Sequence, residues 1–245
     1  MKVIAFALPQ ESRELVAMLC EPQWSGSRRL PVVTGRLGAE AVVVLHTGMG
    51  AASAREALAL FWQRHGPDGI EAVIGAGFAG GLDPSLAVAA LVLWGEPQWL
   101  VCARATLGTR ARVGALSSAP EPLETPQAKA QWARTTGAIA VDMETETVAA
   151  FCREKGVPFL ALRAISDTAG DALPVPLEAW FDLRAQRPRP VRLIGFLLRH
   201  PGRIAPFARL VGNVGRARRA LTQALVELST LPCPAAANGP ARSRR

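Results

Sequence analysis

Two segments of the 245-residue chain place carboxyl groups at the ends of apolar runs: Ala140-Val-Asp-Met-Glu-Thr-Glu146 and Arg163-Ala-Ile-Ser-Asp167. Residues 138–141 read as a short strand, and the apolar positions after Met143 recur at helical spacing through Val148 and Phe151. Glu144 therefore falls at a strand-to-helix junction. Residues 159–165 form a second strand, which stops at Ser166-Asp167 before a glycine-containing loop. Ligands of open α/β sheets gather at the carboxyl ends of strands, so Glu144 and Asp167 are expected on one crevice. There, one carboxyl can give a proton to a departing group while another accepts hydrogen bonds from hydroxyls. Taken singly, either acid serves as well in a helix cap or a turn.

The elements that must position these acids alternate between strand and helix. Strands are expected at residues 2–8 and 71–76, a hairpin pair at 30–34 and 41–46, and helices at 10–19, 51–64 and 127–136. Residues 87–103 hold strand-like apolar runs broken at Gly95-Glu-Pro97, and residues 117–127 form a loop with Pro120, Pro122 and Pro126. A chain of this length with 49% hydrophobic residues can bury one substantial core, and the pattern favours an α/β class.

Five segments in order then carry a resemblance. The two above are joined by Met1-Lys-Val-Ile-Ala-Phe-Ala-Leu-Pro-Gln-Glu11, by Val43-Val-Leu-His-Thr-Gly-Met-Gly50 and by Val73-Ile-Gly-Ala-Gly-Phe-Ala-Gly-Gly-Leu82. Together they resemble the signature of the purine nucleoside phosphorylase and uridine phosphorylase superfamily, and within it that of the methylthioadenosine/S-adenosylhomocysteine nucleosidases. The resemblance implies a single-domain three-layer α/β/α sandwich around a mixed, twisted sheet, scission of the bond between a purine and ribose, no cofactor, and a homodimer. It implies that Glu11 activates water and that Asp167, oriented by Ser166, protonates or hydrogen-bonds N7 of the purine. Glu144 would bind the ribose hydroxyls with Met143 packed on the sugar, and Met49, Gly77 and Phe78 would complete the substrate site from the two glycine segments. An exposed aspartate ionises near ~3.9, so a proton-bearing Asp167 requires burial. Asp142 and Glu146, each two residues from Glu144, are expected to point elsewhere.

Phosphorylases of the superfamily hold phosphate with arginines, one of them in the third glycine segment, where this chain has Phe78. A phenyl ring cannot hold a dianion, which favours hydrolysis. The alternative is a phosphorylase with phosphate as co-substrate, for which Arg13, Arg28, Arg29 and Arg36 are the candidate ligands. Between Leu82 and Ala138 no aromatic stands out to stack on a base, and beyond Asp171 the chain adds a long Arg-rich tail. The hopanoid-associated phosphorylase or nucleosidase subgroup is similar in both respects, and implies adenosine joined through its 5′ carbon to a hopanoid. A non-catalytic, membrane-associated protein on the same fold is the competing class. The joint presence of Glu11, Glu144 and Asp167 argues against it.

Charge divides the chain. Residues 184–245 carry 13 Arg against one acid, Glu227, for +12, whereas residues 1–183 carry 15 basic and 19 acidic residues, for −4. The expected organisation is a catalytic domain over 1–183, a basic amphipathic helical extension over 184–230 and a disordered end over 231–245. In the extension Phe207, Leu210, Val214, Ala217, Leu221, Ala224 and Leu228 form one stripe, with Arg209, Arg216 and Arg219 off it. Packing on the body or a dimer partner, or peripheral docking on anionic lipid, both suit that stripe. No RNA-binding motif is present, which leaves only weak, sequence-independent contact with nucleic acid.

Cys20, Cys102, Cys152 and Cys233 are scattered without metal-ligand spacing, and no apolar run reaches the length of a membrane span. A reducing, cytoplasmic setting is expected, with no disulfide and no metal. Gly75-Ala-Gly-Phe-Ala-Gly80 matches a dinucleotide-binding fingerprint, but Leu82-Asp-Pro-Ser85 would break the helix that such a site needs. A tight turn is the expected form of these glycines.

Overall fold

The computed structural model describes residues 1–27, 30–66 and 70–232. In chain order the first half comprises β1 (Lys2–Phe6), α1 (Pro9–Ala17), β2 (Cys20–Ser27), β3 (Leu30–Leu37), β4 (Glu40–His46), α2 (Ala51–His65), β5 (Ala72–Gly81), β6 (Leu91–Gly95) and α3 (Pro97–Leu107). There follow β7 (Ala111–Val113), β8 (Leu116–Ser118), α4 (Pro126–Thr136), β9 (Ala140–Asp142), α5 (Thr145–Lys155) and β10 (Phe159–Asp167). The chain then runs through α6 (Leu177–Trp180), β11 (Phe181–Asp182), β12 (Arg187–Pro188), α7 (Pro190–Arg199) and α8 (Ile204–Ser229).

One mixed sheet runs in the order β2-β3-β4-β1-β5-β10-β6-β7, and β9 pairs with both β5 and β8. Its centre is parallel, β4 with β1, β1 with β5 and β5 with β10. Alternation along the buried strands divides the core into two layers. Val3 and Ala5 of β1 pack toward α2 and α5, through Ala54, Leu58, Phe61, Val148 and Phe151. Ile4 and Phe6 point the other way, toward Leu15 of α1, Trp99 and Leu107 of α3, and Leu221, Leu225 and Leu228 of α8. The result is the expected three-layer α/β/α sandwich.

The latter part of the Arg-rich region thus belongs to one layer of this core. Ala217, Leu221, Ala224 and Leu228 are buried in it, while Phe207, Leu210 and Val214 of the same stripe stand beside a large cavity. The buried Lys2 ammonium donates to the carbonyls of Ser229 and Leu231, which ties the carboxyl end of α8 to the first strand.

Several local expectations are corrected. Residues 97–107 form a helix where strand-like runs were expected, because Pro97 occupies the first helical turn and Trp99, Ala103 and Leu107 are buried at helical spacing. β2 was invisible to periodicity: every residue in it is exposed, and pairing with β3 creates it. The glycines from Gly75 to Gly81 lie in the extended strand β5 and make no turn. Their missing side chains serve close packing: a Cβ on Gly75 would lie 3.0 Å from the Phe159 ring. Of the expected phosphate ligands Arg28 and Arg29, and of most of the expected disordered end, nothing is described, since residues 28–29 and 233–245 lie outside the described residues.

Candidate active site

The carboxyl ends of β1, β4, β5, β9 and β10 converge on a cavity of about 630 Å³, within the roughly 300–1,000 Å³ of small-molecule sites. Glu11, Met49, Phe78, Met143, Glu144, Ser166 and Asp167 all line it. Gly77 sits behind them, buried in β5. The sequence-predicted residues are therefore brought together, although they come from five separate parts of the chain.

Glu11 stands in the first turn of α1, immediately after β1. Its carboxylate accepts from the backbone N–H of Leu8 at 2.9 Å and of Phe78 at 3.3 Å. Burial raises its pKa from the usual carboxylate value, against the backbone N–H of Leu8 and the nearby Arg163 guanidinium, which lower it. Glu144 follows β9 and opens α5. Its Oε1 accepts from Gly50 N–H at 2.6 Å, at the foot of the β4 loop. Burial, then the neighbouring Asp142 carboxylate, pushes the Glu144 pKa up to about 8.

Asp142 does not point elsewhere, as its spacing from Glu144 suggested. It is buried and lines the cavity, because its side chain folds back to cap α5: Oδ1 accepts from Ser118 Oγ at 2.7 Å and from the backbone of Glu144 and Thr145. Oδ2 accepts from Arg163 Nε at 2.6 Å. Glu146 does turn away, to the backbone of Ser118. Arg163 is buried midway along β10, and its Nη1 lacks a hydrogen-bond partner among the described residues. A Cβ on Gly77 would lie 3.1 Å from that Nη1 and 3.1 Å from Glu11 Oε1, so glycine leaves room where the two groups approach.

Asp167, the last residue of β10, is buried. Ser166 Oγ donates to its Oδ1 at 2.6 Å and lies 3.3 Å from the Ala79 carbonyl. Its Oδ2 pairs with the ammonium of Lys129, which reaches in from α4 and also donates to the carbonyls of Thr168 at 2.8 Å and Asp171 at 3.0 Å. Burial is thus only part of the environment, because a cation is buried with the acid. Gly80 permits this, since a Cβ there would lie 3.2 Å from Asp167 Oδ2.

Lys129 and the bracing role of Arg163 were missed in the sequence. For Lys129 a signal existed: it shares a helix face with Trp132 and Ala133, which pack on a small apolar cluster, and a lysine on such a face rarely stays unpaired.

Away from the acids the cavity is walled by apolar side chains. Val175, Leu177, Trp180 and Phe181 come from the Pro-rich segment, and Phe207, Leu210, Val211 and Val214 from α8. The Pro-rich segment is stitched to the body by Gln186, whose Oε1 accepts from Met49 N–H at 2.8 Å and whose Nε2 donates to Met49 O at 3.0 Å and Ser53 Oγ at 2.9 Å. Arg13 also lines the cavity, as does Arg218, whose Nε donates to Glu14 at 2.9 Å. Arg36 lies on β3 and is not among the lining residues. Among the described residues no group of three acids, cysteines or histidines is placed to hold a metal ion.

A family model described as the phosphorylase superfamily matches residues 2–96 and 94–188. The chain belongs to the phosphorylase superfamily. Among curated relatives it is 27% identical over 210 residues to the 5′-methylthioadenosine/S-adenosylhomocysteine nucleosidase of Shewanella oneidensis, covering 71% of this chain and 86% of the relative. It is 28% identical over 187 residues to that of Geobacillus thermodenitrificans, covering 62% and 78%. In fold this phosphorylase-superfamily chain is similar to the Streptococcus pneumoniae nucleosidase bound to a transition-state inhibitor, with a TM-score of 0.71, 17% identity and coverage of 94% and 98%. It is also similar to a Helicobacter pylori futalosine hydrolase mutant, with a TM-score of 0.70, 14% identity and coverage of 93% and 97%.

Proposed function

We propose that the chain is a purine nucleosidase that hydrolyses the N-glycosidic bond of an adenine nucleoside carrying an apolar 5′ substituent. The observation that carries this reading is the lining of one cavity, in which Glu11, Glu144 and Asp167 share space with a wall of aromatic and aliphatic side chains. The curated relatives named above are nucleosidases of 5′-substituted adenosines, which supports it.

Breaking this bond makes the ribose cationic and the base anionic. Around the ribose, Glu11, Asp142 and Glu144 surround the single guanidinium of Arg163. Glu11 and Glu144, whose ionisation burial holds back, gain most when a positive charge grows beside them, so they favour the transition state over the ground state. Glu144 accepts from the ribose hydroxyls. Glu11, its pKa raised by burial, takes a proton from water, and Arg163 Nη1, on the same side of Gly77 as the Glu11 carboxyl, holds that carboxyl in a positive field. Asp167 serves N7 of the base. Met143 and Met49 pack on the sugar, and no cofactor is required.

The apolar wall suits a bulky 5′ group, and adenosine joined to a hopanoid is the substrate that we infer for it. A substrate of that kind resides in a membrane. Val191, Ile194 and Leu198 on α7 are exposed, with Arg192 and Arg199 beside them, and Pro188, just before α7, lines the cavity. This face supports peripheral docking on anionic lipid. Ile194→Glu should reduce sedimentation with anionic vesicles at low salt and leave cleavage of soluble 5′-methylthioadenosine unchanged.

Arg13 in the cavity lining favours a phosphorylase as second reading. Incubation with 5′-alkyl adenosines, with and without phosphate, separates the two. Adenine and a free reducing sugar in phosphate-free buffer are expected, whereas strict phosphate dependence with a sugar 1-phosphate as product would refute hydrolysis.

A further inference from the structure

Lys129 is the largest buried polar side chain near the site that the mechanism above leaves unused, at 1% exposure. It sits in α4, between the helix start capped by Thr125 and the apolar contacts of Trp132 and Ala133. Its ammonium has three hydrogens and three acceptors, Asp167 Oδ2 and the carbonyls of Thr168 and Asp171. The two carbonyls orient it and compete weakly for its charge. The Asp171 carboxylate turns instead to Thr168, accepting from its backbone N–H at 2.8 Å and its hydroxyl at 2.7 Å. Those hydrogen bonds, followed by the charges of Lys129 and Arg209, keep Asp171 below the usual carboxylate range. Asp167 alone faces the lysine as a carboxylate within bonding distance, and both residues line the cavity.

An unpaired lysine at this depth would be costly, and a lysine needed only for stability could be replaced by an apolar residue together with its partner. The pair instead stands on the cavity wall, where one of the three ammonium hydrogens is shared with the carboxylate. We infer that Lys129 is the positioning residue that supplies, through Asp167, the proton taken by the departing base. This rests on the nucleosidase reading, and deepens it by naming the proton's origin.

The step balances. As the bond from the ribose to the base breaks, its electron pair passes to the purine, and N7 becomes strongly basic. One proton moves from Lys129 Nζ to the Asp167 carboxylate and on to N7. This leaves a neutral amine, a carboxylate and a neutral base. Water adds to C1′ of the cationic sugar and gives its proton to Glu11. Loss of that proton to solvent and uptake of another by Lys129 restore the enzyme. An ammonium is a weak acid, so transfer comes late, when the base already carries its charge. Ser166, donating to Oδ1, keeps Oδ2 on the side of the lysine.

The test uses two leaving groups on the full-length protein. Lys129→Met should lower kcat on 5′-methylthioadenosine by about 10²-fold, the usual worth of a general acid, with KM nearly unchanged. On a 4-nitrophenyl 5-methylthioriboside, whose leaving group departs without a proton, the same variant should lose less than about threefold. Retained cleavage of that glycoside also shows that the variant is folded. Equal losses on the two substrates would reduce Lys129 to a structural residue and overturn the inference, as would no loss on either.

A binding measurement separates this inference from the nucleosidase reading. Wild type should prefer adenine over 7-deazaadenine by about tenfold or more, and Lys129→Met should lose that preference. Wild-type protein that cleaves neither substrate but shows this lysine-dependent preference fails as a nucleosidase while Lys129 stands. Discrimination identical in the two proteins overturns the role of Lys129 whatever the enzyme cleaves.

Discussion

Two buried cations accompany the acids of the site, and their surroundings have opposite character. Arg163 lies among three carboxyl groups, Asp142, Glu144 and Glu11, and bonds directly to the first. Lys129 lies against one carboxylate and two backbone carbonyls. Arg163 is surrounded by an excess of acid, which suits a sugar becoming positive. Lys129 is balanced by a single carboxylate, which on the proposed reading suits a base becoming negative. On the proposed reading, the acid content around the two cations follows the charge separation of the bond being broken.

The largest effects should come from breaking either cluster. Asp167→Asn should cut turnover by about 10²-fold or more while substrate affinity changes little, because the substitution removes the path of a proton and leaves the shape. Glu11→Gln should cost about as much in adenine release. Glu144→Gln should weaken binding and turnover together, by about ten- to a hundredfold in kcat/KM, since its hydrogen bonds to hydroxyls form before the transition state and strengthen in it. Steady-state kinetics on 5′-methylthioadenosine distinguish these patterns. Equal behaviour of Asp167→Asn and Glu144→Gln would remove the distinction between the two clusters.

A smaller effect should follow at the apolar wall. Phe207→Ala should raise KM by about tenfold for a substrate with a long alkyl 5′ group, and far less for the methylthio compound, because the lost contact amounts to only one or two kcal/mol of apolar burial.

The smallest effect is on stability. Glu144 in the folded chain holds its proton to about pH 8, whereas the unfolded chain releases it near 4.5, so stability conferred by this group is lost as pH rises between those values. His46 opposes this at low pH: burial lowers its pKa, so it adds stability as pH rises toward 6.5 and nothing above. From about pH 6.5 to 8 the raised pKa of Glu144 lowers stability as pH rises. The ligand-free protein should therefore melt at a falling temperature across that range, and Glu144→Gln should flatten the slope. An unchanged slope would mean that Glu144 is not held protonated.

The placement of the site acids was legible where it coincided with the ends of apolar runs. Glu11 and Glu144 follow, and Asp167 ends, a strand whose burial is written in its composition, and the topology of the sheet does the rest. What escaped depends on pairing across long separations. Arg163 meets Asp142 across 21 residues, and Lys129 meets Asp167 across 38, so neither partner is visible from its own neighbourhood. β2 escaped for another reason: its form comes from hydrogen bonds to β3, and an exposed edge strand carries no alternation of burial. α3 was hidden because Val101 and Cys102, both exposed, made a helix look like a continuous apolar run.

α8 is a single helix of 26 residues that changes occupation midway. From Ala217 onward it is held by the core, and Lys2 secures its far end; Phe207, Leu210, Val211 and Val214 border the cavity. Positions 207, 210, 211 and 214 can therefore be exchanged as a set, on a mount that the rest of the molecule keeps in place. For an engineer this is a specificity cassette: libraries at those four positions would sample new 5′ groups while the acids, some distance along the chain and on other elements, keep their geometry.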